Sequence, residues 1–214
     1  ISTSQVNLVI DTGPDFRQQM LRERVERLDA VLFTHGHKDH VAGLDDVRAF
    51  NFRHAMDMPV YGLGTTLTQL KTEFAYAFEE NRYPGIPQLV LNEINDAPFQ
   101  VAQQLVTPLP VKHLHMPVLG FRVGDFSYIT DANFIPDSTF KALEGSKVLV
   151  LNALQRENHI SHFNLQQAVA VAQRVAAPKT FFTHISHKLG LHAVVEKELP
   201  ESIALAYDGL TIEL

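Results

Sequence analysis

Residues 35 to 40 read His35-Gly36-His37-Lys38-Asp39-His40, three imidazoles and a carboxylate within six positions. This is metal-ligand spacing. His35 and His37 alternate along an extended segment, so both rings can converge on one cation, while Asp39 and His40 lie one turn further on and can reach a second. The plain alternative is a solvated His-rich loop that takes up metal adventitiously. The apolar run Ala30-Val31-Leu32-Phe33 before the motif, which reads as a buried strand, and the Gly43-containing helix start after it argue for a built site.

More candidate donors stand where predicted strands run out into loops: His113 after Pro110-Val111-Lys112, Asp131 after Tyr128-Ile129-Thr130, His184 after Phe181-Phe182-Thr183. A strand fixes a side chain while the following loop leaves it accessible, so functional groups concentrate at such points. Counting His35, His37 and His113 for one ion and Asp39, His40 and His184 for another, with Asp131 bridging, gives each ion imidazole and carboxylate donors and a position for water. Singly, each has a plain reading: Asp131 as an Asx-turn residue, an isolated strand-end His as structural. His115, two residues past His113 on the same face of a strand, competes with it as ligand.

The elements that must position these groups alternate along the chain. Strands are expected over Asn7 to Asp11, Ala30 to Thr34, Val90 to Ile94, Gln104 to Leu109, Leu119 to Val123, Phe126 to Thr130, Val148 to Asn152 and Thr180 to Thr183, with a terminal hairpin near Ile203 and Thr211. Helical spacing covers Asp15 to Leu28, Val41 to Phe52, Thr66 to Phe78 and Leu165 to Ala176, the last opened by Asn164 as N-cap and closed before Pro178. The class is α/β. A turn at Gly124-Asp125 between two apolar runs marks an antiparallel hairpin, so the sheet is not purely parallel, which argues against a dinucleotide-binding fold. Arg82 to Gln88, with Pro84, Gly85 and Pro87, reads as a surface loop near the site mouth, and His54 as a surface residue at a helix end.

Composition sets the remaining bounds. At 214 residues and 45% hydrophobic content, with no linker-like stretch, the expectation is a single domain over residues 1 to 214. Eighteen basic against twenty-four acidic residues leave a net charge of -6 with no basic block, which speaks against an extended nucleic-acid partner. No apolar run of about 18 residues exists, so no membrane partner is expected. The absence of cysteine fits a cytoplasmic protein. The chain opens at Ile1 inside a polar segment leading into Val6 to Ile10, and N-terminal strands lying upstream are expected.

The strand followed by H-x-H-x-D-H, the early turn Asp11-Thr12-Gly13, and the later order His113, Asp131, His184 resemble the metallo-β-lactamase superfamily over essentially the whole chain. The resemblance implies a four-layer αβ/βα sandwich. Asp11-Thr-Gly-Pro-Asp-Phe-Arg17, Gly43-Leu-Asp-Asp-Val-Arg48, Pro117-Val-Leu-Gly-Phe-Arg122 and Ser161-His-Phe-Asn164 look most like its phosphodiesterase branch. That branch holds the phosphonate-pathway cyclic-phosphate phosphodiesterase, the nearer resemblance, and ribonuclease Z. It implies two divalent ions, zinc or manganese, activating a hydroxide, with Asp39 orienting it and His162 acting as an extra catalytic imidazole on the leaving group. A capping or supporting role at the start of the Leu165 helix is the other reading of His162, and His159 competes with it. His187 and His159 are candidates for the substrate pocket.

Two departures bear on specificity. The Gly-rich loop and the Cys-rich structural zinc site of some relatives are not seen, and neither is the basic arm with which ribonuclease Z enzymes grip tRNA. A small, cyclic or linear phosphodiester is therefore the expected substrate, and a homodimer stays open. The alternatives are a tRNA 3′-processing-type endonuclease, a thioester or lactone hydrolase of the same superfamily, or a non-catalytic metal-binding accessory protein.

Overall fold

The computed structural model describes residues 1–80 and 83–214. The chain divides into two compact units, Ile1–Gln104 and Leu105–Leu214.

The first unit contains β1 (Leu8–Ile10), α1 (Phe16–Arg22), β2 (Ala30–Leu32), α2 (Lys38–Val41), α3 (Arg48–His54), β3 (Met58–Gly62), α4 (Gly64–Glu73), β4 (Leu89–Glu93) and the short β5 (Phe99–Val101). Strands β1 to β4 form a parallel sheet in chain order. Parallel neighbours need crossovers, and each is spanned by helix. Phe16, Val31, Phe33, Leu44, Met58 and Leu70 meet in the core of this unit. Burial on this scale is what holds the short strands in place, at about 25 cal/mol for each Å² of apolar surface removed from water.

Three helices end or break earlier than their apolar spacing suggests, α4 stopping at Glu73 with a 3-10 turn over Ala75–Ala77 where helix was expected to Phe78. The pattern predicting a helix from Asp15 to Leu28 yields α1 only to Arg22, because Arg24 turns left-handed at φ 52°. The N–H of Val25 then bonds the Met20 carbonyl at 2.9 Å and that of Arg24 the Leu21 carbonyl at 3.2 Å, a Schellman closure made without glycine. Val41 to Phe52 breaks into α2, a 3-10 turn over Leu44–Val47, and α3. Strand β3 was not expected; Pro59 is accommodated within it, in register with Val90. Of the expected loop Arg82 to Gln88, Arg82 lies outside the described residues, and residues 83–88 form no regular element.

The second unit contains β6 (Gln104–His113), β7 (Met116–Val123), β8 (Phe126–Ile129), α5 (Asp137–Leu143), β9 (Val148–Asn152), α6 (Leu165–Val175), β10 (Lys179–Thr183), α7 (His192–Val195) and β11 (Ile203–Leu205). Its strands run in the order β11-β10-β9-β8-β7-β6. β8 to β11 pair in parallel, whereas β6, β7 and β8 pair antiparallel, with Gly124 at φ 57° in the tight turn joining β7 to β8. Leu109, Ile129, Leu149, Leu151, Phe163 and Phe182 lie in its core. Asn164 caps α6 by accepting from the Gln167 N–H at 2.8 Å, and Gln167 returns the bond to the Asn164 N–H at 3.0 Å. The terminal hairpin is a correction: β11 is a lone strand parallel to β10, and Thr211 lies outside any strand. After β11 the N–H of Leu210 closes on the Tyr207 carbonyl at 3.0 Å, a turn that sends no return strand back. Helices α5 and α7 were not anticipated.

Candidate functional site

In the first unit the histidine motif is built on the turn that follows β1. Asp11 adopts φ 61°, a left-handed conformation that Asp tolerates better than most residues. The chain beyond it is tied to the motif: the Thr12 N–H bonds the His40 carbonyl at 2.7 Å and the Gly43 N–H bonds the Thr12 carbonyl at 2.8 Å. A Cβ on Gly43 would come within 2.3 Å of the Gly13 carbonyl oxygen, so this close approach requires glycine.

The Asp11 carboxylate then organises two imidazoles. Its Oδ1 accepts from the Thr34 N–H at 2.8 Å, and its Oδ2 accepts from the Thr34 hydroxyl at 2.8 Å and from His40 Nδ1 at 2.7 Å. Because the Thr34 hydroxyl hydrogen goes to Asp11, its oxygen accepts from His35 Nδ1, 2.9 Å away. Both rings therefore carry their proton on Nδ1 and the lone pair on Nε2, the tautomer of metal-ligating histidines whose other nitrogen bonds a carboxylate or hydroxyl. Burial pushes the Asp11 carboxyl up from its ordinary value, and the bonds from His40 and Thr34 pull it back. His35 and His40 are buried, while His37 and Asp39 are exposed. The His35 ring centroid lies 4.6 Å from that of His37 and 4.2 Å from that of His40. His40 Nε2 is 3.5 Å from an Asp39 oxygen. All four motif residues thus gather in this unit around groups that Asp11 and Thr34 orient.

In the second unit Asp131 is the centre. It sits two residues beyond β8, 2% exposed and at φ 54°. Its backbone carbonyl accepts from His113 Nδ1 at 3.0 Å. Its Oδ1 accepts from the Thr130 hydroxyl at 2.6 Å and lies 3.1 Å from His184 Nδ1; its Oδ2 lies 3.2 Å from His162 Nε2. His184, directly after β10, is also left-handed at φ 53°. Three rings surround the carboxylate: His162 lies edge-on to His113 at 4.5 Å between centroids and stacks on His184 at 4.9 Å, 12° from parallel. His113, Asp131 and His162 each offer a ligand atom within 4.8 Å of the others.

His113 and His115 stand in different surroundings. His113 ends β6 and meets Asp131, whereas His115 stands exposed in the turn before β7. His159 joins through its Nδ1, 3.1 Å from His162 Nδ1, while burial, His162 and Lys188 together hold its pKa below the ordinary value. His187 occupies an exposed turn and makes no bond to the cluster among the described residues. His54 ends α3 on the surface, its Nε2 on the Glu26 carbonyl at 2.8 Å.

Two asparagines complete the arrangement, and sequence reasoning passed over both. Asn152, fully buried at the end of β9, accepts from the Ala132 N–H at 2.9 Å and donates to the Ala132 carbonyl at 3.0 Å, pinning the backbone beside Asp131. Asn133 accepts from the Leu114 N–H at 2.9 Å and donates to the Ile160 carbonyl at 3.0 Å, tying the His113 hairpin to the loop that carries His159 and His162. The donor set of both units, imidazoles and carboxylates with no thiolate, fits a divalent cation of the zinc or manganese type.

Comparison with known proteins agrees with this fold. The family described as "Beta-lactamase superfamily domain" matches residues 6–185. A crystal structure of a diphosphatase from the PhnP family superposes with a TM-score of 0.92 at 35% identity, covering 100% of this chain and 82% of that one. Human tRNase Z, short form, shares the fold, with a TM-score of 0.73 at 17% identity over 100% of this chain and 90% of that one. An octanoyltransferase of Porphyromonas gingivalis (strain ATCC BAA-308 / W83) is 37% identical over 212 residues, 98% of this chain but 43% of that protein, so this chain spans less than half of the relative's length. Among the described residues no helix is long and apolar enough to cross a membrane. The two helix-flanked sheets and these matches together establish that the chain belongs to the metallo-β-lactamase superfamily.

Proposed function

We propose that the chain is a metal-dependent hydrolase of small phosphodiesters, linear or cyclic. His35, His37 and His113 would hold one divalent cation and Asp39, His40 and His184 a second, with Asp131 shared between them. Bound there, the cations would lower the pKa of water towards neutrality and neutralise charge on the phosphate oxygens. Asp39, an exposed carboxylate, would accept a hydrogen bond from the attacking water and orient it. His162 would hold or move a proton at Nε2, a contribution of about 10² to 10⁴ in rate for a positioned group.

The observation that carries this reading is His162 itself. It is an imidazole beyond those seven ligands, 8% exposed, with Nε2 3.2 Å from the proposed bridging carboxylate. A site that only stored metal would need it at most as a support for the carboxylate. The 35% identical structural neighbour described as a diphosphatase supports phosphorus chemistry.

The test is hydrolysis of bis(p-nitrophenyl) phosphate and of a 2′,3′-cyclic nucleotide by protein stripped with chelator and reloaded with zinc or manganese. Metal-restored turnover of either is expected. An octanoyl thioester runs in parallel, because the P. gingivalis relative bears the name octanoyltransferase. Turnover of the thioester with silence on both diesters would replace this reading by an acyl one.

A further inference from the structure

We propose that Gln69 is a positioning residue for the histidine motif: from helix α4 it anchors the Gly36 carbonyl, with Glu73 as a second tie through Lys38, and so holds the loop ready for a cation before one arrives. Gln69 Nε2 has two hydrogens, and it gives one to the Gly36 carbonyl at 2.5 Å and the other to Glu73 Oε1 at 2.9 Å. The second carboxylate oxygen, Oε2, accepts from the Lys38 ammonium at 2.6 Å. Gly36 is buried, where a backbone carbonyl needs a partner, and it stands between His35 and His37. Its carbonyl belongs to the planar peptide unit that leads into His37, so fixing that oxygen fixes the plane. The anchor is itself well seated. Thr66, Leu67 and Leu70 of α4 are buried, the two leucines in the core of this unit, and Gln69 and Glu73 stand one turn apart on the same helix.

The same contact accounts for the glycine. A Cβ at Gly36 would overlap the Gln69 amide, although the backbone there lies outside the left-handed region and would otherwise admit alanine. The Lys38 side chain is 69% exposed, so its pair with Glu73 is the weaker tie, screened by water and salt. It still draws the ammonium, which stands in sequence between the proposed ligands His37 and Asp39, onto α4, 5.9 Å from the Phe74 ring centre. Bonds from Lys38 and Gln69 hold the Glu73 carboxyl below its ordinary value, so the carboxylate that joins them stays charged near neutral pH. A loop without these ties would have to be ordered at the moment a cation binds, and that entropy would appear as weaker binding. The effect on metal rests on the proposed reading of His35 and His37 as ligands; the bracing of the loop does not.

The experiment has two arms. Amide hydrogen exchange of the metal-free protein reads the loop without any cation. The His40 N–H, which bonds the His37 carbonyl at 2.9 Å, reports on the loop, and the Phe33 N–H, bonded to the Tyr61 carbonyl at 2.8 Å, reports on the sheet behind it. Gln69→Met keeps the length of the side chain and should speed His40 exchange about 10-fold while leaving Phe33 unchanged. Gln69→Glu, which sets an acceptor against the Gly36 carbonyl and Glu73, should speed it further, whereas a side chain that only filled space would tolerate both. Gly36→Ala, which pushes the amide aside, should match Gln69→Met and add nothing to it in the double variant. In the second arm, zinc affinity measured by chelator competition should fall about 10-fold in each variant. Unchanged His40 exchange in Gln69→Met, equal acceleration at Phe33, additive effects in the double variant, or full zinc affinity in a loosened loop would overturn the proposal. A natural protein that takes up no zinc removes the metal reading of the motif, and the exchange arm then decides this inference by itself.

Discussion

His40 donates its Nδ1 proton to the Asp11 carboxylate across 2.7 Å, although the two residues lie 29 positions apart and only His40 belongs to the histidine motif. The same carboxylate holds Thr34, and through Thr34 the His35 ring. One buried acid thus sets the tautomer of two proposed ligands.

Asp11→Asn keeps a residue that accepts the left-handed backbone but removes the charge that draws both protons to Nδ1. Metal affinity should fall by about 10- to 100-fold, the usual consequence of removing a group that orients ligands from behind. Competition of the loaded protein against a chromogenic chelator measures it, and an unchanged affinity would show that the rings need no such partner.

Asp131→Asn tests the second unit in a complementary way. The substitution preserves the backbone at φ 54° and the acceptor oxygen for the Thr130 hydroxyl, yet removes the negative charge among the three surrounding imidazoles. Elemental analysis of the purified variant should find at least one of the two proposed sites depleted. Full occupancy would remove Asp131 from the ligand set.

What could be read from the sequence follows from the range of the interactions involved. Strand β9 falls on the expected residues Val148 to Asn152 because a run buried on both faces, Val-Leu-Val-Leu, carries its own signal. The Gly124-Asp125 turn and the Asn164 cap are equally local, each set by residues within a few positions of one another. Asp11, Asn133 and Asn152 act on backbone and rings 19 to 29 positions away, and no spacing rule reaches that far. Turns at Asp11 and Asp131 were readable, but the left-handed φ that these residues and His184 adopt is not, with no glycine at those positions to mark it. His159 was visible as a competitor of His162 and as a pocket candidate, whereas the structure sets the two rings against each other through their Nδ1 atoms.

Away from the histidines, Tyr76 gives the first unit a pH-dependent contact. Its hydroxyl donates to Asp45, which also faces Arg48 at 3.3 Å, and burial together with that bond to Asp45 pushes the phenol above its ordinary value. A folded-state value above the unfolded one means that the contribution is whole below about pH 10 and is lost as pH rises beyond it. Tyr76 is 40% exposed, so the bond is worth about 1 kcal/mol rather than more. Urea unfolding of Tyr76→Phe at pH 8 should show that deficit, and the gap should close above about pH 10. A gap that widened with alkali would reverse the assigned sign.

Asn152 gives the sharpest test of how the second unit holds its carboxylate. Its amide fills both backbone valences of Ala132, the residue immediately after the strained Asp131, and it is fully buried. In Asn152→Ala the Ala132 carbonyl keeps the Phe163 N–H at 2.8 Å, but the Ala132 N–H loses its partner in the interior. An orphaned buried donor plus the lost amide contact costs about 2 to 3 kcal/mol. Urea unfolding followed by circular dichroism measures that loss. Asn152→Asp should be worse still, because it replaces the donor to the Ala132 carbonyl with a second acceptor and buries a charge. Since Ala132 is bonded directly to Asp131, both variants should also bind metal less tightly than their loss of stability alone explains, as judged by chelator competition well below the unfolding transition. Normal affinity in a destabilised Asn152→Ala would confine the asparagine to a stabilising role and leave Thr130 as the group that aims the carboxylate, through its 2.6 Å bond to Oδ1.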